Sequence, residues 1–208
     1  MVRRTKEDAQ KTRELLIEAA ERVFYEKGVS RTSLNDIAQA ADVTRGAIYW
    51  HFKNKHDVFE AIMERLQTPL ELLHEAIENS NEPDPLGRLR EFLIYLTREM
   101  MRDPRRRRVY EIIFMKCEMT EENEPLAARH RQNFLDSSIR IQTVLVNARS
   151  HGQLPADIDI GQAIIHLHVQ LTGLIYLWLL LPDVFDFETE SERVINAYFY
   201  SLQHSFSA

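Results

Sequence analysis

Residues 32–55 read TSLNDIAQAADVTRGAIYWHFKNK, and the spacing of side chains within them decides the fold. Leu34, Ile37, Ala38 and Ala41 fall at i, i+3, i+4 and i+7, the stripe of a helix packed on one side. Thr32 and Ser33 offer side-chain oxygens ahead of it, and Asp36 follows Ser33 at the spacing of a capping box. Thr44 can cap a second helix, which has room for only a few residues before Lys53-Asn54-Lys55. So short a helix is unstable alone and has to be presented by its neighbours. Two short helices, a tight turn and a basic patch are the layout that sets a helix into the major groove of DNA.

Within the second helix the residues divide by role. Ile48 and Phe52, at i and i+4, are expected to point inward. Arg45 sits in the first turn, where a guanidinium reaches base edges, most often guanine. Gly46 and Ala47 remove bulk, which lets the backbone approach the groove. Tyr49, His51, Lys53 and Lys55 suit phosphate oxygens, which set register without reading sequence. Thr32, Ser33, Thr44 and Trp50 complete the expected DNA-contacting set, together with Arg4 and Lys6 in a basic N-terminal arm. Asn54 can cap the following helix, whose free N–H groups would offer a further anion site. Shape alone leaves open a plain structural corner with a solvated arginine; the wording of the segment is what favours DNA.

That wording, VTRGAIYWHFKNK at 43–55, is similar almost letter for letter to the recognition helix of the TetR/AcrR family of bacterial transcriptional regulators. The resemblance continues in MVRRTKEDAQKTR at the start and YEKGVSRTSLNDIA at 25–38. In the C-terminal two-thirds, EIIFMKCE (111–118), GQLPADID (152–159) and WLLLPDVFD (178–186) resemble the subgroup that represses multidrug efflux pump operons. The resemblance implies a repressor and not an enzyme, working as a cytoplasmic homodimer without a cofactor. It further implies a palindromic double-stranded operator and release by a small hydrophobic or aromatic effector. The alternative within the family is a sensor of an endogenous lipid or acyl metabolite that controls a metabolic operon. One departure is visible: the family often has Gly in the turn where this chain has Asp42. Asp tolerates the left-handed conformation better than most residues, and its charge is favourable just before a helix N-terminus. The turn is therefore expected to survive.

Charge is unevenly distributed. Residues 1–55 carry 11 Lys and Arg against 8 Asp and Glu, whereas the remainder carries 15 against 24. A basic head on an acidic body can orient on a polyanion while limiting indiscriminate binding. The single cysteine, Cys117, excludes an intramolecular disulfide and fits a reducing compartment. Arg3, Arg4 and Lys6 precede no apolar run, so no signal peptide is expected. There is no phosphate-binding glycine loop, no zinc-protease pair and no nucleophile constellation around Cys117, which argues against an enzyme.

Periodicity predicts an all-α chain of about nine helices. Residues 1–55 form a three-helix helix-turn-helix domain, and 56–208 a ligand-binding and dimerisation bundle. Leu16, Ala19, Ala20, Val23 and Phe24 mark a first helix that Gly28 can end. Val58, Phe59, Ile62 and Leu66 continue onto a connecting helix that Pro69 should end or kink. Asp84-Pro85 opens the next, and Pro104 begins one with Tyr110, Phe114 and Cys117 along a face. A long helix runs from Pro125 to about 149 before Gly152, followed by an apolar helix over 160–181 and a last one near 191–205.

The apolar helix is long enough to span a bilayer. It contains Gln162, His166, His168, Gln170 and Thr172, costly toward lipid, and buried packing is the expected reading. His166 and His168 stand at i and i+2, on different faces, so no shared metal is expected. His168, Thr172 and Tyr176 form a polar row that reads as satisfied core groups, as a dimer stripe or as the wall of a ligand cavity. The family resemblance favours the cavity. Leu66, Leu89, Phe92, Leu93 and Leu96 are its expected facing residues, with Tyr110, Phe114, Cys117 and Val144. In the family the last two helices pair across a two-fold axis. Leu174, Leu177, Trp178 and Ile195 supply apolar surface for that role, with Tyr198, Phe199, Leu202 and Phe206, although one burial stripe could equally be intramolecular core. The run Arg105–Arg108 reads as a solvated, partly paired face beside Glu99 and Glu111.

Overall fold

The computed structural model describes residues 6–65, 82–118, 120, 124–204 and 206. Among them lie nine helices and no sheet. Arg4, Leu66 and Pro69, each given a role above, lie outside the described residues. In chain order the helices are α1 (Lys6–Lys27), α2 (Leu34–Ala40), α3 (Arg45–His51) and α4 (55–65). Then come α5 (Pro85–Arg102), α6 (Pro104–Glu111), α7 (Glu124–Ser150), α8 (Ile160–Leu180) and α9 (Phe187–Leu202).

Two compact units form. One gathers the described residues of Met1–Thr68 and Arg105–His130, the other those of Pro69–Pro104 and Arg131–Ala208. Compactness thus follows a different line from the functional division at 55/56, because α4 and residues 105–130 pack with the first three helices.

The first unit is built on the predicted stripe of α1. Leu16, Ala19, Ala20, Val23 and Phe24 are all buried, and Gly28 ends the helix at φ +81°, where glycine meets no Cβ penalty. Ile37, Ile48, Val58 and Ile62 converge on this stripe with no solvent exposure, and each such side chain contributes about 1.5–3 kcal/mol of burial. Ile112 and Ile113 join the same cluster from a different place than periodicity suggests. Past Glu111 the chain widens into a π-helical stretch, Ile112–Lys116, with Cys117 as its C-terminal cap. A π turn adds a residue to each loop, yet Tyr110, Phe114 and Cys117 still pack against one cluster, as expected of a shared face. The arginine run also departs from expectation. Arg106 is buried, and Arg105 turns inward to Glu21 at 2.9 Å; Arg107 pairs with Glu111 at 3.2 Å as anticipated.

In the second unit, Leu89, Phe92 and Leu93 of α5 pack with Val144, Leu145 and Ala148 of α7, and with residues of α8 and α9. The Tyr198 hydroxyl donates to the Ala163 carbonyl at 3.1 Å, so the ring is buried without an orphan donor, and burial pushes its pKa up. Asp84, Asp159 and Asp186 cap α5, α8 and α9. A Cβ on Gly87 would lie 2.0 Å from Asp84 Oδ2, so the first of these caps requires a glycine there. Asp186 accepts from the Thr189 amide at 2.8 Å and starts α9 at Phe187, ahead of the expected 191. Arg98 ties α5 to α9 through Glu188 at 3.2 Å and Glu192 at 2.6 Å.

Burial corrects part of the dimer assignment. Trp178, Ile195, Tyr198, Leu202 and Phe206 lie in the chain's own interior, with Trp178 stacked on Phe187 at 4.3 Å. Leu177 stays exposed and Leu174 and Phe199 half-buried. α8 is long and apolar enough to cross a membrane, but Ala163, Ile164, Leu167, Trp178 and Leu179 pack inward. Its packing is one-sided, not all-round, for Ile165, Val169 and Leu180 face outward.

Candidate nucleic-acid interface

α3 is held by a chain of local contacts, most of them caps. Ser33 accepts from the Asp36 amide at 3.2 Å, while its own N–H donates to Asp36 Oδ2 at 2.9 Å, closing the capping box. The same carboxylate receives Lys27 Nζ at 2.8 Å from the end of α1. The Lys27 and Ser33 hydrogen bonds hold the Asp36 carboxyl well below the usual carboxylate range. At the other end of α2, Arg22 donates to the Ala40 carbonyl at 3.2 Å. The turn then passes through Asp42 at φ +53°, left-handed as its side chain permits. Thr44 Oγ1 accepts from the Ala47 amide at 3.2 Å and starts α3.

α3 has two unlike faces. Ile48 and Phe52 are buried as predicted, and the Arg13 guanidinium lies 5.4 Å over the Phe52 ring. Outward stand Thr44, Arg45, Gly46, Tyr49, Trp50 and Lys53, with Tyr49 49% and Trp50 72% exposed. Ala47 and His51 are half-buried at the edge, where the His51 ring meets Trp50 edge-on at 4.5 Å. A Cβ on Gly46 would meet only Thr44 Oγ1, at 3.9 Å, so internal packing does not require this glycine. Arg45 is not loose: its guanidinium lies 5.4 Å over the Tyr49 ring, a cation–π contact that stiffens the side chain. The i, i+4 spacing of Arg45 and Tyr49 was the signal for it.

Three expected contacts have other work. Thr32 is buried, its hydroxyl donating to the Gly28 carbonyl at 2.7 Å and its amide to the Val29 carbonyl at 3.3 Å, so both of its donors are engaged inside the chain. Lys55 is half-buried and donates to the Ser30 carbonyl at 3.1 Å. Asn54 does cap α4, accepting from the Asp57 amide at 2.9 Å. Asp57 in turn accepts from the Lys53 amide, ahead of the cap, at 2.9 Å. Ser33 is exposed, though its hydroxyl is engaged in the cap, and Lys6 is exposed at the start of α1.

The expected effector residues fall in both units. In the first, the Tyr110 and Phe114 rings stack at 6.5 Å, His130 meets Phe114 edge-on at 6.4 Å, and burial raises the Cys117 thiol. In the second, Leu89, Phe92, Leu93 and Val144 are core residues and Leu96 is half-buried. His168 Nε2 lies 3.1 Å from Ser138 Oγ and its ring 4.3 Å from Phe134; burial lowers its pKa and favours the neutral ring. Thr172 and Tyr176, the rest of the polar row, are exposed. His166 faces elsewhere, 5.0 Å from the Phe206 ring. A surface hollow lined by Asp186, Glu188, Thr189, Glu192, Arg193 and Asn196 is polar, unlike the apolar cavity anticipated.

Comparison with known proteins bears on the same halves. Residues 16–62 match the model of bacterial regulatory proteins of the tetR family, and 84–204 that of the C-terminal region of MAATS-type transcriptional repressors. The chain is 44% identical over 196 residues to the HTH-type transcriptional regulator TtgR of Pseudomonas putida, covering 94% of this chain and 93% of the relative. The crystal structure of NalD, the secondary repressor of the MexAB-OprM multidrug efflux pump in Pseudomonas aeruginosa, matches with TM-score 0.86 and 33% identity, over 97% of this chain and 100% of NalD. The complex of triclosan with SmeT, a repressor from Stenotrophomonas maltophilia, matches with TM-score 0.86 and 31% identity, over 94% of each chain.

Proposed function

Since the chain belongs to the TetR/AcrR-like family of bacterial transcriptional regulators and has a repressor's architecture, we propose that it represses a multidrug efflux operon and is released by hydrophobic or aromatic compounds. The observation that carries the DNA half is α3 itself. Its apolar face is sealed inside, while Arg45, Tyr49, Trp50 and Lys53 are left in water at the end of a capped, left-handed turn. Residues 1–55 read DNA, and 56–208 take the effector and a second copy of the chain in the cytoplasm. Efflux control is supported by the roles of NalD and SmeT, and an aromatic effector by triclosan in the SmeT complex.

One reading helix covers a half-site, so two copies read a palindrome whose halves lie about 34–36 Å apart, or a multiple of that. The exposed aliphatic row of α8, Ile165, Val169, Leu177 and Leu180, is the surface we assign to the partner. Release is a population shift. The effector has to bind more tightly to a conformation in which α4 carries the reading helices off operator spacing; equal affinity for both would release nothing.

The test is selection of duplexes from a random pool by the purified protein, followed by displacement with triclosan and other aromatic compounds. A palindromic consensus, released in a dose-dependent way, is the expected result. Tyr176→Ala and Phe114→Ala should then alter release and leave ligand-free affinity intact. Recovery of no consensus would sink the DNA reading, and a consensus that no aromatic compound displaces would sink the effector class.

A further inference from the structure

One carboxylate of the head is buried among charges. Glu21, in the C-terminal third of α1, is 2% exposed. Its oxygens accept from Arg105 Nε at 2.9 and 3.1 Å and from Arg65 Nη1 at 3.3 Å. Arg105 is the second residue of α6 and also approaches Glu18, at 3.7 Å. Arg65 belongs to α4 and also pairs with Glu14. A single side chain of α1 therefore holds one arginine from each of two other helices.

The α6 arm grips the head a second time at its far end. The Lys116 carbonyl accepts the Val29 amide at 3.0 Å, just beyond α1, and the Lys116 ammonium lies 5.7 Å over the Tyr25 ring. A Cβ on Gly28 would stand 3.4 Å from that same carbonyl, and between the two grips Ile112 and Ile113 are buried in the head's core. The arm is thus held to α1 near both of its ends.

We infer that Glu21 is a positioning residue, clamping α4 and α6 to the helix that carries the DNA reader, so that displacement of either is passed to the head. The inference rests on the reading above, in which the head must move for DNA to be released. Stability alone gives no reason for a charge here. Desolvation is the larger influence on this carboxyl and raises its pKa, ahead of the opposing pull of Arg105. Buried ion pairs are commonly no more stable than neutral replacements of similar volume. The Arg65 and Arg105 side chains are 23% and 41% exposed, and each keeps a second carboxylate nearby, Glu14 and Glu18, if that of Glu21 is removed.

The test uses the full-length protein with Glu21→Gln, Arg105→Gln and the double variant. Thermal midpoint, amide exchange at Val29, and affinity for a duplex selected by the wild-type protein are measured on each. Glu21→Gln is expected to keep or raise the midpoint while speeding Val29 exchange about tenfold. Arg105→Gln should weaken duplex binding about tenfold in the wild-type background and less than about twofold beside Glu21→Gln, the signature of one coupled unit. A lowered midpoint or loss of folding would make Glu21 a structural residue and overturn the inference. So would unchanged Val29 exchange, or additive effects in the cycle. If the wild-type protein selects no duplex, the DNA reading has failed on its own, and midpoint and exchange still decide the clamp.

Discussion

α3 and α8 both leave large side chains in water, and for different ends. α3 has seven residues and exposes Tyr49 and Trp50 among hydrogen-bond donors, Arg45 and Lys53. α8 has twenty-one and exposes Ile165 at 58% and Val169 at 65% with no charged residue along its length. A surface mixing rings with cations is comfortable in water and complementary to a phosphate-lined groove. A surface dominated by aliphatic groups, with Gln162, His166, Thr172 and Tyr176 as its exposed polar members, gains most when a second apolar surface covers it. The first can serve a partner that comes and goes; the second calls for one that stays.

Four changes would break or sharpen this contrast. The largest effect is expected at Ile48, the fully buried anchor of α3. Ile48→Ala should cost about 2–5 kcal/mol of stability, with DNA binding and melting temperature falling together. Val169→Glu should leave the fold intact and weaken self-association by about 3 kcal/mol, since it would put a charge into an apolar contact. Sedimentation at several concentrations reads the mass, and an unchanged oligomer would remove Val169 from the interface. Arg45→Ala should weaken the selected duplex by about 1–3 kcal/mol and relax preference at one base position, with no change in melting. Equal weakening across all sequences would reduce Arg45 to a phosphate contact. The smallest effect is acid-dependent. Asp36 is ionised more readily in the folded chain, so its contribution is present above the ordinary carboxylate range and is lost as pH falls from about 4 toward its lowered value. Asp36→Asn should flatten that part of the stability profile, measured by thermal melts between pH 5 and pH 2.

The same contrast explains what could be read from the chain unaided. The head was legible because its signals are local. Ser33, Thr44 and Asn54 cap within three residues of themselves, and Asp42 adopts its φ for reasons carried by its own side chain. Ile48 and Phe52 could be told from Tyr49 and Trp50 because only one face of α3 is apolar. On α8 both faces are apolar, so nothing in the pattern says that Trp178 turns inward while Leu177 stays out. The π stretch was hidden because Tyr110, Phe114 and Cys117 satisfy α spacing as written. The hydrogen bonds of Thr32 and Lys55 could not be foreseen because their acceptors are backbone carbonyls, at Gly28 and Ser30, which leave no trace in residue type. Glu21 did leave one: with Ile17 and Phe24 it falls at i, i+4 and i+7 on the buried stripe of α1, the wrong place for a solvated acid.

Trp50 and Trp178 are the two tryptophans of the chain, and they occupy opposite environments: one 72% exposed on the DNA-facing helix, the other 6% exposed and stacked on Phe187. The molecule thus carries two intrinsic fluorophores that an aqueous quencher can tell apart. Under the proposed function, emission from the outer indole would report nucleic acid arriving at α3 and emission from the inner one the packing between α8 and α9, both in a single unlabelled sample.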